Sequence, residues 1–525
     1  MKRIPLQKKL LTLVALLSFA TARPMDIAQQ WIAHAWNNVE EHPIASVTLP
    51  AAAIAGVYIN NAVKQYNNAI SWNWPSINTH RVNNQPIGAF FKQHAQQLAA
   101  HNETWLWGSG TSAHQVEGGC TNNNWYEFAH SPEQKNTIVD AGIACDHWNK
   151  YPEDIALMAN FGLNAYRFSV EWSKIVPQEG VIDYAALDHY EDVCKRLVAA
   201  GIKPVITLYH YTDPIWFTRL GGWEKAENCK HFIFFAQTVF ERLHKYVHLW
   251  LTFNAPESYA LTGWTQGLKP PAKKDQWELM AQVMHNLFET HVNVYRALKS
   301  MPGGNTSRIG VLKNIYQLDP WRLYHPGDHI MCYFGNKLVN DSFYTYLTTG
   351  QLSIYTPTKV NKTFAPNEYL KNGGACLDFI GLNYYCHGYM KGKTILRDEK
   401  NEIPANNERY TIYGEGLYRA IEEISSRVAQ PLNIPIYVTE NGIGTDNEQH
   451  RTLFLERYLY ALAKAIDKGH DVRGYFYWSL LDNYEWGTYS KRYGLFKVDF
   501  ADPNLTRTKK AGAQYYEDII HATFA

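Results

Sequence analysis

The sequence predicts a large α/β domain, a (β/α)8 TIM barrel with long βα loops and an N-terminal extension, on three observations. From Trp105 onward, short apolar strands alternate with longer amphipathic segments separated by polar loops. Eight such strands fit within roughly 400 residues, the length of one barrel with generous loops. Most of the strands end on a polar or titratable residue, as the catalytic face of a barrel requires. Glu440 is the clearest case: Ile436-Tyr437-Val438-Thr439 deliver it and Asn441-Gly442 follow as a turn pair. A doubly wound open sheet is the competing fold, but no G-x-G-x-x-G or other phosphate-binding loop occurs.

Taken in order, the chain begins with Lys2, Arg3, Lys8 and Lys9, then an apolar run from Leu10 to Phe19, then Ala20-Thr21-Ala22. That is the layout of a secretory signal over residues 1–22, and it predicts an exported protein: periplasmic, secreted or membrane-associated. The run is short for a bilayer span. Residues 23–100, rich in Asn, Gln, Ala and His, read as an appended extension. Its apolar stretch from Ile44 to Ile59 contains Pro50 and reads as a docked helix or a membrane-associating segment. The barrel domain then occupies 101–525. Its strands are expected at Trp105–Gly110, Ala165–Val170, Val205–Tyr209, Leu249–Asn254, Ile309–Leu312, Phe379–Asn383, Ile436–Glu440 and Gly474–Ser479. Helical patterns lie between them at Ala186–Ala200, Lys230–Tyr246, Trp277–Leu298, Gly416–Val428 and Arg451–Lys468.

Composition removes several function classes. With 46% hydrophobic and 19% charged residues the chain is too apolar for disorder. Lys plus Arg (50) nearly cancel Asp plus Glu (49), so no electrostatic footprint for nucleic acid exists. The 7 cysteines are scattered without a C-x-x-C pair, which argues against a zinc or redox motif; disulfides stay open if the chain is exported. The 35 Tyr and 17 Trp suit packing on the C–H faces of sugars but equally a large aromatic core, and by themselves favour the core.

The motifs decide more. In order they are Gly110-Thr111-Ser112-Ala113-His114-Gln115-Val116-Glu117-Gly118, Tyr166-Arg167-Phe168-Ser169-Val170-Glu171-Trp172-Ser173, Thr207-Leu208-Tyr209-His210-Tyr211 and Gly221-Gly222-Trp223-Glu224. Then come Asp378-Phe379-Ile380-Gly381-Leu382-Asn383-Tyr384-Tyr385, Thr439-Glu440-Asn441-Gly442, Asp482-Asn483-Tyr484-Glu485-Trp486 and Arg492-Tyr493-Gly494-Leu495. In this order, on strand ends, the sequence resembles glycoside hydrolase family 1, the β-glucosidase and β-galactosidase-like retaining enzymes. The resemblance runs from about Trp105 to Tyr516.

It implies that Glu440 attacks the anomeric carbon and forms a glycosyl ester. Arg167 would stabilise its ionised form and Tyr385 would donate it a hydrogen bond. Gln115, His210, Asn254, Glu485 and Trp486 resemble the residues that grip sugar hydroxyls, and Trp478 the platform under the ring. Family members acting on 6-phosphorylated sugars carry Ser where Glu485 stands, so the resemblance implies an unphosphorylated glycoside or oligosaccharide as partner. No metal and no organic cofactor is implied. Singly, each residue has a plain structural explanation: Trp as core, a strand-end Arg as an ion pair, Asn-Gly as a turn.

One position departs. The family's fourth strand ends Asn-Glu-Pro, and that Glu is the general acid/base; here Asn254-Ala255-Pro256 puts a methyl group there. Losing such a group costs about 10²–10⁴ in rate. Glu257 is an alternative donor, although relatives with Asn-Glu-Pro-Glu carry both acids, which assigns its ordinary role elsewhere. Restriction to good leaving groups, as in the plant thioglucosidases with Gln at this position, and glycan binding without turnover are the other expectations.

Overall fold

The computed structural model of the chain describes residues 72–134, 137–323, 325–396, 402–405 and 411–525. The predicted leader at 1–22 and the apolar stretch at 44–59 lie outside these. No described helix is long and apolar enough to cross a membrane.

The described chain forms two compact units. The larger comprises residues 72–318, 334–388 and 397–525. It contains a parallel barrel whose strands are β1 (Leu106–Gly110), β2 (Ala165–Ser169), β3 (Lys203–Tyr209), β4 (Leu249–Phe253), β5 (Arg308–Pro320), β6 (Phe379–Lys391), β7 (Ile436–Asn441) and β8 (Val472–Trp478). Neighbours in sequence are neighbours in the sheet, β8 pairs with β1, and β6 pairs with β5 to complete the ring. At that last seam the Asp378 amide donates to the Ile309 carbonyl at 2.7 Å, and the Ile309 amide donates to the Asp378 carboxylate at 2.8 Å. All eight strands begin within two residues of where the apolar runs predicted them, but β5 and β6 run eight residues further than expected, to Pro320 and Lys391.

Helices separate the strands: α1 (His147–Phe161), α2 (Tyr184–Ala199), α3 (Cys229–Leu243), α4 (Trp277–Lys299), α5 (Ser342–Thr349), α6 (Gly414–Ile424), α7 (Glu448–Asp467) and α8 (Gln514–Phe524). Two begin before their apolar periodicity does because a side chain caps them. Asp183 accepts from the Ala185 and Ala186 amides, and Asn447 from those of Gln449 and His450.

The interior of the barrel is layered by the two-residue period of its strands. Leu106, Ala165, Val205, Leu249, Leu251, Leu312, Phe379, Tyr437 and Phe476 form a separate buried cluster to which every strand contributes. Gly108 leaves room for it, since a Cβ there would meet the Phe476 ring at 2.3 Å. Two residues further along, the same inward face turns polar or aromatic: Ala165 is followed by Arg167, Val205 by Thr207, Tyr437 by Thr439 and Phe476 by Trp478. An apolar plug thus sits below a polar mouth.

Residues 72–100, expected to be part of an appended segment, pack into this larger unit. The helix Ile87–Ala99 buries Phe91 against Trp105 and Trp107, at ring-centroid distances of 5.5 and 4.8 Å. The described part of the smaller unit, residues 319–333 and 389–396, contains an antiparallel pairing of Tyr389–Lys391 with Thr394–Leu396. There Trp321 packs edge-on against Tyr389, and Asp328 accepts from Arg322 at 2.8 and 2.9 Å. Cys120, Cys145, Cys194, Cys229, Cys332 and Cys376 are buried and form no disulfide.

Candidate active site

Strand alternation alone would send Thr439 inward and Glu440 outward. A register irregularity at the tip of β7, against both β6 and β8, re-aims Glu440 into the mouth while Thr439 stays inside. Asn441 fixes that tip: its amide donates to the Tyr384 carbonyl at 2.7 Å and its Oδ1 accepts from Tyr475 at 2.9 Å. Gly442 is required by a close approach, because a Cβ would lie 1.7 Å from the Trp478 carbonyl oxygen.

Glu440, 5% exposed, is held at both oxygens. Arg167, fully buried in the middle of β2, donates to Oε1 at 2.5 Å; Tyr385, on β6, donates to Oε2 at 2.7 Å. Burial, then the Glu440 charge and hydrogen bond, push the Tyr385 phenol well above its ordinary range, so it remains a donor. The Arg167 guanidinium also donates to Thr207, to the Thr439 carbonyl and to Asn254 Oδ1, at 2.9, 3.3 and 3.1 Å. Its orientation is therefore fixed by three strands besides its own.

Asn254, at the end of β4, links this charge to a sugar-type donor. Its Oδ1 accepts from Arg167 and from Asn383 Nδ2 (3.0 Å), which orients the amide and leaves Nδ2 to donate to His210 Nε2 at 3.1 Å. Burial, then the charges of Arg167 and Lys269, push the His210 imidazolium well below its ordinary range, so the ring is neutral. A neutral ring accepting at Nε2 carries its proton on Nδ1. That Nδ1 is buried and has no hydrogen-bond partner among the described residues. Such a group is costly unless something completes it, and a hydroxyl oxygen would.

On the other wall, Gln115 Nε2 donates to Glu485 at 3.0 Å and to Asn483 at 3.1 Å, and its Oε1 accepts from Ser112 at 2.7 Å. The Trp478 indole N–H points at the same Glu485 carboxylate, 3.4 Å away. His210 stacks between Trp478 and Trp486, with centroids 5.7 and 5.9 Å apart and interplanar angles of 21°. The arrangement combines one carboxylate held by a cation, a row of hydroxyl-matching groups and flat aromatic faces.

Opposite, Ala255 has φ +39° and ψ +64°, is 1% exposed and caps the helix Pro256–Trp264. Glu257 lies in the first turn of that helix. Its Oε1 accepts from the buried Lys313 ammonium at 3.0 Å and from the Asn314 amide at 3.2 Å, while its Oε2 has no partner among the described residues. Burial pushes the Glu257 carboxyl up and the Lys313 ammonium down, each opposed by the other. The structure thus commits Glu257 to a buried pair.

Sequence reasoning placed Gln115, Arg167, His210, Asn254, Tyr385, Glu440, Trp478, Glu485 and Trp486 together, and the structure brings all of them to one cluster. It did not single out the bracing roles of Thr207, Asn383 and Thr439, nor Lys269. The first three follow the two-residue period from an apolar floor, a signal that was present. Lys269 lies in a loop, where no period marks it.

The sequence model of glycosyl hydrolase family 1 matches residues 97–524. β-Glucosidase A of Thermotoga maritima is 27% identical over 448 residues, covering 80% of this chain and 97% of that protein. A solved structure of β-glucosidase from Thermotoga maritima in complex with castanospermine aligns with a TM-score of 0.71, at 26% identity, over 80% of this chain and 98% of that one. A 6-phospho-β-galactosidase of Clostridium acetobutylicum is 28% identical over 469 residues, 80% of this chain and 96% of that one. A β-glycosidase from Pyrococcus horikoshii aligns with a TM-score of 0.71 and 32% identity, over 80% and 94% of the two chains. Matched over residues 97–524, the chain belongs to glycosyl hydrolase family 1, as a β-glucosidase-like member.

Proposed function

We propose that the chain binds unphosphorylated β-glucosides or β-galactosides and cleaves them with retention through Glu440, at a rate reduced, or limited to good leaving groups, by Ala255. The observation that carries this reading is Glu440 clamped between Arg167 and Tyr385 beside a buried, unpartnered His210 donor. A carboxylate with a fixed cation is ready to attack an anomeric carbon, and the ester it forms is hydrolysed by water in a second step. Glu485 supports an unphosphorylated sugar, since a phosphate beside its carboxylate would be repelled. Export is proposed with it, on the basic and apolar pattern of residues 1–22.

Without a carboxylic acid at 255, a dinitrophenolate departs unaided while a sugar alkoxide needs a proton from another group. Ala255→Glu should therefore raise turnover of a β-linked disaccharide by about 10²-fold or more and change dinitrophenyl glycoside cleavage far less. Failure of Ala255→Glu to gain activity would mean that the site has lost more than one group or that another side chain already supplies the proton. The second reading, a catalytically inactive glycan-binding protein, is favoured by Ala255 alone. It predicts sugar binding by calorimetry with no turnover of even the dinitrophenyl substrate.

A further inference from the structure

We propose that Lys269 serves as the acid/base of this site, reaching in from the loop between β4 and α4 in place of the carboxylate absent at Ala255. The proposal rests on the reading of Glu440 as nucleophile and deepens it.

Both residues belong to the same βα connection. Ala255 opens it and caps the helix Pro256–Trp264; the chain then turns back and is pinned at its base. The Asp275 amide donates to the Thr265 carbonyl and the Gln276 amide to the Trp264 carbonyl, each at 3.0 Å. The Leu268 amide donates to the Thr262 carbonyl at 3.0 Å, and Gly263 admits the Pro270 carbonyl so closely that a Cβ would lie 2.8 Å from it. A long flexible side chain is thereby presented from a fixed backbone.

The Lys269 Nζ lies 3.8 Å from the centroid of the Tyr211 ring and 5.5 Å from that of Trp486. Tyr211 stacks at 5.7 Å on Tyr259, one helical turn after Ala255, and Trp486 stacks on His210 in the sugar-binding wall. The ammonium therefore stands between the Tyr211 ring, which packs on the helix that Ala255 caps, and the Trp486 ring of the hydroxyl-binding cluster. The charged and titratable groups facing it are the carboxylates of Glu485 and Glu440, the ammonium of Lys491, the imidazole of His210 and the phenol of Tyr211. The Lys269 carbonyl accepts from the Ala272 amide at 2.7 Å, while its ammonium forms no hydrogen bond or ion pair among the described residues. A cation resting on aromatic faces without a fixed anion can move to a leaving oxygen.

Its acidity suits the task. Burial lowers the ammonium to about 7, against the opposing pull of Glu485 and Glu440 and with the help of Lys491. A proton donor near the working pH both holds and releases its proton readily. In the first step Glu440 attacks C1, the C1–O bond to the leaving group breaks, and the Lys269 ammonium gives its proton to the departing oxygen. In the second, water attacks C1, the bond to Glu440 breaks, and the Lys269 amine takes the water proton. The sum is glycoside plus water to sugar plus alcohol, with Lys269 and Glu440 restored.

The test compares the full chain with Lys269→Met and Lys269→Arg on dinitrophenyl and methyl β-glycosides, with and without azide. Wild-type kcat/KM for the methyl glycoside should fall as pH rises through about 7. Lys269→Met should lose about 10²–10⁴-fold on the methyl glycoside and under about tenfold in kcat/KM on the dinitrophenyl one. Lys269→Arg should behave like Met, because a guanidinium keeps its proton. Azide should accelerate Lys269→Met more than wild type and give a β-glycosyl azide. Equal losses on both substrates, no loss, or rescue by Arg would overturn the proposal and leave Glu440 untouched; an effect on KM alone for anionic leaving groups would assign Lys269 to binding instead. If wild type fails on the dinitrophenyl glycoside, the nucleophile reading itself falls and takes this proposal with it.

Discussion

At position 255 the backbone holds a left-handed conformation that costs an L-residue about 1–2 kcal/mol, although the side chain is only a methyl group. The neighbours of that methyl are nonetheless arranged for a reacting sugar. Asn254 is oriented by Arg167 and Asn383, and it in turn fixes the His210 tautomer. If the His210 Nδ1 proton meets a sugar hydroxyl, His210→Phe should keep the stacking on Trp478 and Trp486 and lose the hydrogen bond. The expected loss is about tenfold in kcat/KM for a dinitrophenyl glycoside, about 1.4 kcal/mol, with the melting temperature nearly unchanged. An unchanged kcat/KM would remove His210 from the sugar contacts.

Two elements carry predictions of their own. The helix Pro256–Trp264 is tied to β5 through Glu257 and Lys313, which are 1% and 0% exposed in their side chains. Glu257→Gln leaves the Lys313 ammonium buried without its counter-charge, so unfolding in denaturant should show a loss of about 3–5 kcal/mol. A variant of full stability that instead loses activity only on poor leaving groups would restore Glu257 as an acid/base. The helix Ile87–Ala99 makes a second case. Phe91→Ala empties a fully buried position among Trp105 and Trp107 and should cost about 3–5 kcal/mol in the same measurement. A change below about 1 kcal/mol would mean that this helix contributes little to the barrel.

Across the whole molecule, the barrel was legible because each strand begins as a short apolar run, and the period of two survives in its interior. Val205 and Thr207, or Tyr437 and Thr439, mark floor and mouth on one strand. The helix Ile87–Ala99 was not legible: His94, Gln96 and Gln97 surround Phe91 and Ile87, so composition conceals the few residues that pack. In the site, Glu440 was legible from its place at a strand tip. Arg167, His210, Asn254 and Glu485 were legible only through their family resemblance, since a polar residue at a strand end has many uses. The Glu257–Lys313 pair and Lys269 depend on distances between segments that no spacing encodes.

The measurement that bears most directly on Glu440 as a nucleophile is mass spectrometry after incubation with dinitrophenyl 2-deoxy-2-fluoro-β-glycosides of the gluco and galacto series. Such a substrate needs no proton donor to leave, and its fluorine slows release of the ester. One equivalent of fluoroglycosyl bound to the peptide carrying Glu440 is the expected result. An unlabelled protein, or a label on any other residue, would contradict the account.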